Sequence, residues 1–319
     1  MQCYSSNKYW KDIIMKNSKH ILPKILTIPL LLGLVLLPVL SQAQTASLQE
    51  VLEQARNKGV EQSQLQELQK RAQARGLTDQ QLMDIIEPAI ALADENLPSE
   101  TVLQKALEGL SKGVPANRMM PVLRNMQQSV QSAGPLVESW IQRPNVKEMV
   151  GRPDAGMSDR QFRNEMIKAT SRGLMNDIPS GEIQKLLDEI GSGELSGNVQ
   201  PSNVVASVGV FAELPTTADQ PEASRSLIVR SLKGGFKTAE IQRLPAAMKV
   251  AQQRSQLPAA SVIEGVARQM KGGIPAKKIL QNLFNGNVGG GPPGGTPPGL
   301  ENKQNRGNSG DKGNSGGNC

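Results

Sequence analysis

Gly113-Val114-Pro115, followed by Met119 and Leu123, is the stretch on which the fold turns. A glycine just past a helix end can take the left-handed conformation that closes the last turn, and the apolar residue after it packs back on that helix. Proline is tolerated where the next helix opens, because its missing amide hydrogen would have had no intrahelical partner there. The three residues therefore end one helix and begin another. The same punctuation returns as Gly76-Leu77-Thr78, Asn96-Leu97-Pro98, Gly156-Met157-Ser158, Asp177-Ile178-Pro179, Gln256-Leu257-Pro258 and Gly273-Ile274-Pro275, with looser copies at Gly59 and Gly235. Thr78 with Gln81, and Ser158 with Gln161, have the spacing of capping boxes. Basic residues precede the glycines at Lys58, Arg75, Lys112, Lys233 and Lys271, where they favour the negative end of a helix dipole.

Between these signatures the apolar residues recur at helical spacing, as in Leu48, Val51, Leu52 and Ala55, or Leu82, Ile85 and Ile86. The stretch from Val204 to Ala212 is the most strand-like by composition. Its residues Val204, Val205, Val208, Phe211 and Ala212 still make one helical face behind a Pro201-Ser202 start, so helix is expected there too.

The signatures are spaced 17, 20 and 17 residues apart from Gly59 to Gly113, and 21 and 17 apart from Gly235 to Gly273. Two helices thus make a unit of 37 or 38 residues. Direct self-similarity agrees, since Arg230, Lys233, Gly234 and Gly235 recur 38 places on as Arg268, Lys271, Gly272 and Gly273. The fold class expected is all-α: a helical-hairpin repeat array, α-solenoid-like or a superhelical bundle, in which each pair buries its apolar face only against its neighbours. The likeness to tetratricopeptide and HEAT-type repeats is one of period alone. Register weakens near 133–156 and 191–235, which are read as longer loops, degenerate repeats or lobe boundaries within a repeat region spanning 44–284. Beyond residue 285 the composition turns to Gly, Pro, Asn and Ser, and a disordered tail over 285–319 is expected.

Residues 1–43 read as a cleavable signal peptide. Five lysines and one acid precede an apolar run from Ile25 to Leu40, interrupted by Pro29, Gly33 and Pro38 and short of the roughly 20 residues that span a bilayer. Ser41 and Ala43 are the small residues before a cleavage that leaves Gln44 as the new terminus. An uncleaved anchor is the other reading, and membrane contact is expected only through the leader in that case. The chain is thus expected to be exported, to the periplasm or outside the cell.

Removing the leader takes five bases and one acid from 36 and 29, leaving a mature chain near +3, which gives no support for nucleic-acid binding. It also takes His20, Tyr4, Tyr9 and Trp10. Without histidine, Ser-His and Cys-His nucleophiles and histidine metal sites drop out, and no metal or cofactor is expected. Cys319 is the one cysteine left, a candidate intermolecular thiol or an idle one. Lys233-Gly234-Gly235 and Lys271-Gly272-Gly273 read as helix caps rather than phosphate loops, having no strand before them.

What remains points to a non-catalytic binding or scaffold module for a protein or peptide partner, with oligomeric state open. Met119, Met120 and Trp140 are its candidate partner-binding residues, each weighed against a packing role. The alternatives are a carboxylate-based cell-envelope hydrolase, using acids such as Asp94 with Glu95 or Asp188 with Glu189, and a periplasmic chaperone-like holder using the Met-rich helices.

Overall fold

The computed structural model describes residues 47–192, 195, 199–214 and 220–289. Ser41, Ala43 and Gln44 of the cleavage site, Cys319, and the tail beyond residue 289 lie outside them. Every regular element among the described residues is helical. The helices are α1 (Leu48–Asn57), α2 (Gln62–Ala74), α3 (Asp79–Asp94), α4 (Glu100–Ser111), α5 (Ala116–Ile141), α6 (Pro144–Val150) and α7 (Asp159–Met175). They continue as α8 (Ser180–Ile190), α9 (Pro201–Phe211), α10 (Pro221–Lys233), α11 (Thr238–Ile241), α12 (Leu244–Ser255), α13 (Ala259–Lys271) and α14 (Ala276–Phe284).

The punctuation is built as its chemistry requires. The first residue of each of the nine signatures has positive φ, including the non-glycines Asn96, Asp177 and Gln256. In seven of them two backbone bonds close the helix end. At Gly113 the Val114 amide donates to the Gly109 carbonyl and the Gly113 amide to that of Leu110, and the pattern repeats at 59, 76, 96, 177, 235 and 273. The apolar residue that follows is buried or packed against the core in all seven. Two copies differ. Gly156 follows a turn rather than a helix, and Leu257, after Gln256, is 42% exposed with its amide bonded to the Ser255 hydroxyl.

The helix starts differ from expectation by one position. Pro115, Pro179, Pro258 and Pro275 stand at the N-cap itself, where the backbone is extended and the proline ring already fixes a suitable φ. Thr78 completes its capping box with Gln81. Ser158 accepts from the Gln161 amide without the reciprocal bond.

Neighbouring helices meet two apart as often as in sequence. α1 packs on α3, α3 on α5, α5 on α7, α7 on α9 and α9 on α11, while α2 packs on α4, α8 on α10 and α12 on α14; α10 packs on α13, three along. The apolar core runs unbroken from Leu52 to Val288, and the described residues belong to one compact unit. α9 is buried almost all round, which is why its sequence reads as nearly uniformly apolar.

The two stretches of weak register resolve differently. The first is helix up to Ile141: α5 continues through Ala133, Gly134 and Pro135, and only then come α6 and the turn before Ser158. Continuation rests on a tertiary contact, since Leu97 lies over Gly134 where a β-carbon would come within 2.8 Å of its Cδ2. The second stretch holds α9 and α10, with Leu195, Val199 and Leu214 buried.

Six of the side-chain ties between helices share one spacing, among others of 35 to 47 residues. Lys58 to Asp94, Arg71 to the Leu107 carbonyl, Arg75 to the Ser111 carbonyl, Gln131 to Glu95, Asn176 to the Ala212 carbonyl and Arg225 to Glu189 each join residues 36 apart. The step is slightly shorter than the unit of 37 or 38 read between signatures.

Candidate functional site

The residues singled out from sequence do not converge. Trp140 is 2% exposed, donates its indole hydrogen to the Leu187 carbonyl at 2.5 Å, and lies 6.1 Å from the Phe162 ring. Gly191 makes room for it, because a β-carbon there would fall 2.7 Å from the indole nitrogen. Trp140 is therefore a packing residue and presents no anchor to solvent. Met119 is buried against Gly109, and Met120 is half-buried at the edge of the core. Among the described residues the exposed large hydrophobic side chains are Val122 and Leu257, so the methionines line no open apolar groove.

The two acid pairs have a common arrangement. Asp94 reaches back to Lys58 and Glu95 forward to Gln131; Asp188 reaches back to Arg143 and Glu189 forward to Arg225. Each doublet stands at the C-terminal end of a helix, where the dipole disfavours negative charge. Cations and amides from both flanking layers offset that cost. These carboxylates are occupied in tying the layers together.

The most concentrated polar constellation lies along α7. The Lys168 ammonium sits 2.5 Å from Glu100 on α4 and 3.0 Å from Glu165 one turn back. Its side chain is only 18% exposed. Burial alone would pull the ammonium's pKa down, but hydrogen bonds to both carboxylates and their charges outweigh it, and the pKa lies above the ordinary lysine value. Lys168 is thus held protonated and cannot serve as a base or nucleophile near neutrality. Arg163 meets Glu138 on α5 and the Asn96 carbonyl, fixing the start of α7 against α5 and the α3–α4 turn.

Two hollows flank Glu165. One, of about 300 Å³, is walled by Glu100, Arg160, Gln161, Asn164 and Lys168. The other, of about 120 Å³, has a floor of Ala206, Gly209 and Val210 beneath Arg172 and Glu213. The two share Glu165 and run as a groove along α7, charged on the α4 side and apolar on the α9 side, with Lys168 and Arg172 already paired to carboxylates, an arrangement suited to holding a chain rather than transforming one. Sequence reading missed it because Glu100 and Lys168 are 68 residues apart, and Lys168 looks like an ordinary surface residue until α4 is folded against it.

Among the described residues no group of three His, Cys, Asp or Glu side chains is placed to hold a metal ion. No family model, no curated protein and no solved structure matches the chain.

Proposed function

We propose that this chain is an exported, non-catalytic protein built as a helical-hairpin repeat array, which binds a protein or peptide partner in the cell envelope or outside the cell. The observation that carries the reading is the recurrence of a 36-residue step among the side-chain ties, alongside helices that pack two apart. A recurring step is what stacked equivalent units require, and stacked units make extended surfaces suited to a long partner. The groove along α7 is the place on that surface where charged side chains of α4 and α7 meet beside the apolar face of α9. The leader supports export, and the mature composition supports binding over catalysis. The occupied acid doublets favour no hydrolase, and two exposed apolar residues favour no holder of unfolded chains.

Export is tested by fractionating cells that make the full chain and sequencing the terminus of the exported form; Gln44 is expected, and retention in the cytoplasm refutes it. Binding is tested by crosslinking capture in the native envelope with wild-type chain and with Glu165→Lys, which reverses the charge shared by both hollows. A partner recovered with the first and lost with the second, both folded by circular dichroism, is the expected result. Recovery of no reproducible partner, or equal recovery by both, sinks the groove as the binding surface.

A further inference from the structure

Charge is divided unequally along the chain. Residues 44–220 hold 17 lysines and arginines against 23 acids, whereas residues 221–289 hold 11 against three. Ion pairs occur in both stretches: Lys58, Lys105, Lys112, Arg143, Arg163 and Lys168 meet carboxylates in the first, Arg225 and Arg268 in the second. Lys237, Lys271, Lys277 and Lys278 are exposed and their ammonium groups join no ion pair among the described residues, although the Glu240 carboxylate caps the Lys237 amide.

These four lysines stand at or beside the two turns that follow α10 and α13. Lys237 is the N-cap of α11, Lys277 and Lys278 lie in the first turn of α14, and Lys271 is the last residue of α13. α11 packs on α14, and α13 packs on both α10 and α14. The turns at Gly235 and Gly273, which repeat one another 38 residues apart, join these packed helices. Lys277 and Lys278 sit in the first turn of α14, where the positive end of the dipole opposes them. An external anion is the group that would offset that cost.

The residue types choose among anions. Lysines are compact, hydrated point charges without the planar fork that reads a single carboxylate or phosphate. Protein interfaces are depleted in lysine and draw their energy from aromatic and arginine anchors, while single-stranded nucleic acid needs exposed aromatic platforms. Phe236 is buried and Phe284 is half-buried beneath Arg243. We propose that the corner formed by the α10–α11 and α13–α14 turns adsorbs, by charge and without insertion, onto an anionic phospholipid bilayer. This contact is independent of the leader and of the partner groove on α7.

The test uses the chain from Gln44 onward and vesicles of phosphatidylcholine alone or mixed about equally with phosphatidylglycerol. Sedimentation with the mixed vesicles at low salt, release at about 0.5 M salt and no binding to the neutral vesicles are expected, because screening shortens to a few Å there. Each lysine near an anionic surface is worth roughly fivefold in affinity, so Lys237→Glu, Lys271→Glu, Lys277→Glu and Lys278→Glu combined should weaken binding by more than about a hundredfold. The same charge change at Lys70, Arg118, Arg124 and Lys147, also exposed, should leave most of the binding. If the combined variant misfolds, the four single Lys→Gln variants decide, each expected about fivefold weaker. The proposal is overturned by absent binding to the mixed vesicles, equal binding to neutral ones, undiminished binding by the corner variants or equal loss in the control. Tighter binding to duplex DNA or polyglutamate at the same salt overturns it as well.

Discussion

Gly265 lies directly under the backbone of Val288: a β-carbon on Gly265 would come within 2.0 Å of the Val288 carbonyl oxygen. After α14 the chain turns at Gly286, folds back over α13, and seats Val288 in the core while Arg268 donates to the Gly289 carbonyl. The last described residues are thereby a seal on the C-terminal end of the helices.

Gly265→Ala should unseat that seal. The contact is with backbone, which cannot swing aside as a side chain can, so a loss of about 1–3 kcal/mol is expected, in the range of overpacked sites. Urea titration measures the loss, and amide exchange should show faster exchange at Asn287 and Gly289. Unchanged exchange there would contradict the packing described.

Trp140→Phe should cost about 1–3 kcal/mol, because the buried Leu187 carbonyl loses its donor. The expected readout is a lower urea midpoint with an unchanged far-ultraviolet spectrum. In the chain from Gln44 onward, Trp140 is the one tryptophan, and its fluorescence should be blue-shifted and shift red on unfolding.

Gln256→Gly should stabilise by about 0.5–1 kcal/mol, since Gln256 is held at φ 58° and a left-handed non-glycine residue costs roughly 1–2 kcal/mol, partly offset by glycine's greater unfolded-state entropy. Gly113→Ala, at φ 69°, should destabilise. Thermal melts of the two variants should move in opposite directions.

Stability should fall at both ends of the pH scale for separable reasons. Glu108 is held down to about 2 by hydrogen bonds from Lys112 and Lys105, Glu67 is lowered by Arg71, and Glu182 by Lys185 with a further contribution from Arg225. A carboxylate with a depressed folded-state pKa contributes stability that is complete above its unfolded value near 4.5 and is lost as pH falls through the folded value. The raised ammonium of Lys168 has the opposite sign: its contribution is complete below 10.5 and is lost as pH rises through the folded value. Melting temperatures measured against pH should drop between about 4.5 and 2. Lys168→Met should remove part of the alkaline drop and leave the acid one.

The helix ends were the most legible part of this sequence, because a left-handed residue, a returning apolar side chain and a cap are decided within a few residues. The passage of α5 through Gly134-Pro135 was not legible. Local chemistry there spells a break, and it is Leu97, far away in sequence, that lies across the uninterrupted helix. Trp140 could be read as a residue needing a partner, but its partner, Leu187, is 47 residues on. The groove on α7 depends on Glu100 meeting Lys168, which no local pattern announces. The basic corner was hidden by arithmetic, since a near-zero total conceals an acidic stretch followed by a basic one.

In the repeat arrangement proposed above, the 36-residue step also constrains how such a chain can change its length. Removing or duplicating a block of that size between two turns would hand each severed donor an acceptor in the equivalent place, as when Arg75 loses Ser111 and meets its counterpart. A block of another size would leave both neighbours out of register at once. Under that proposal length is counted in whole steps, and a variant gaining five residues inside a helix should suffer more than one gaining 36 at a turn.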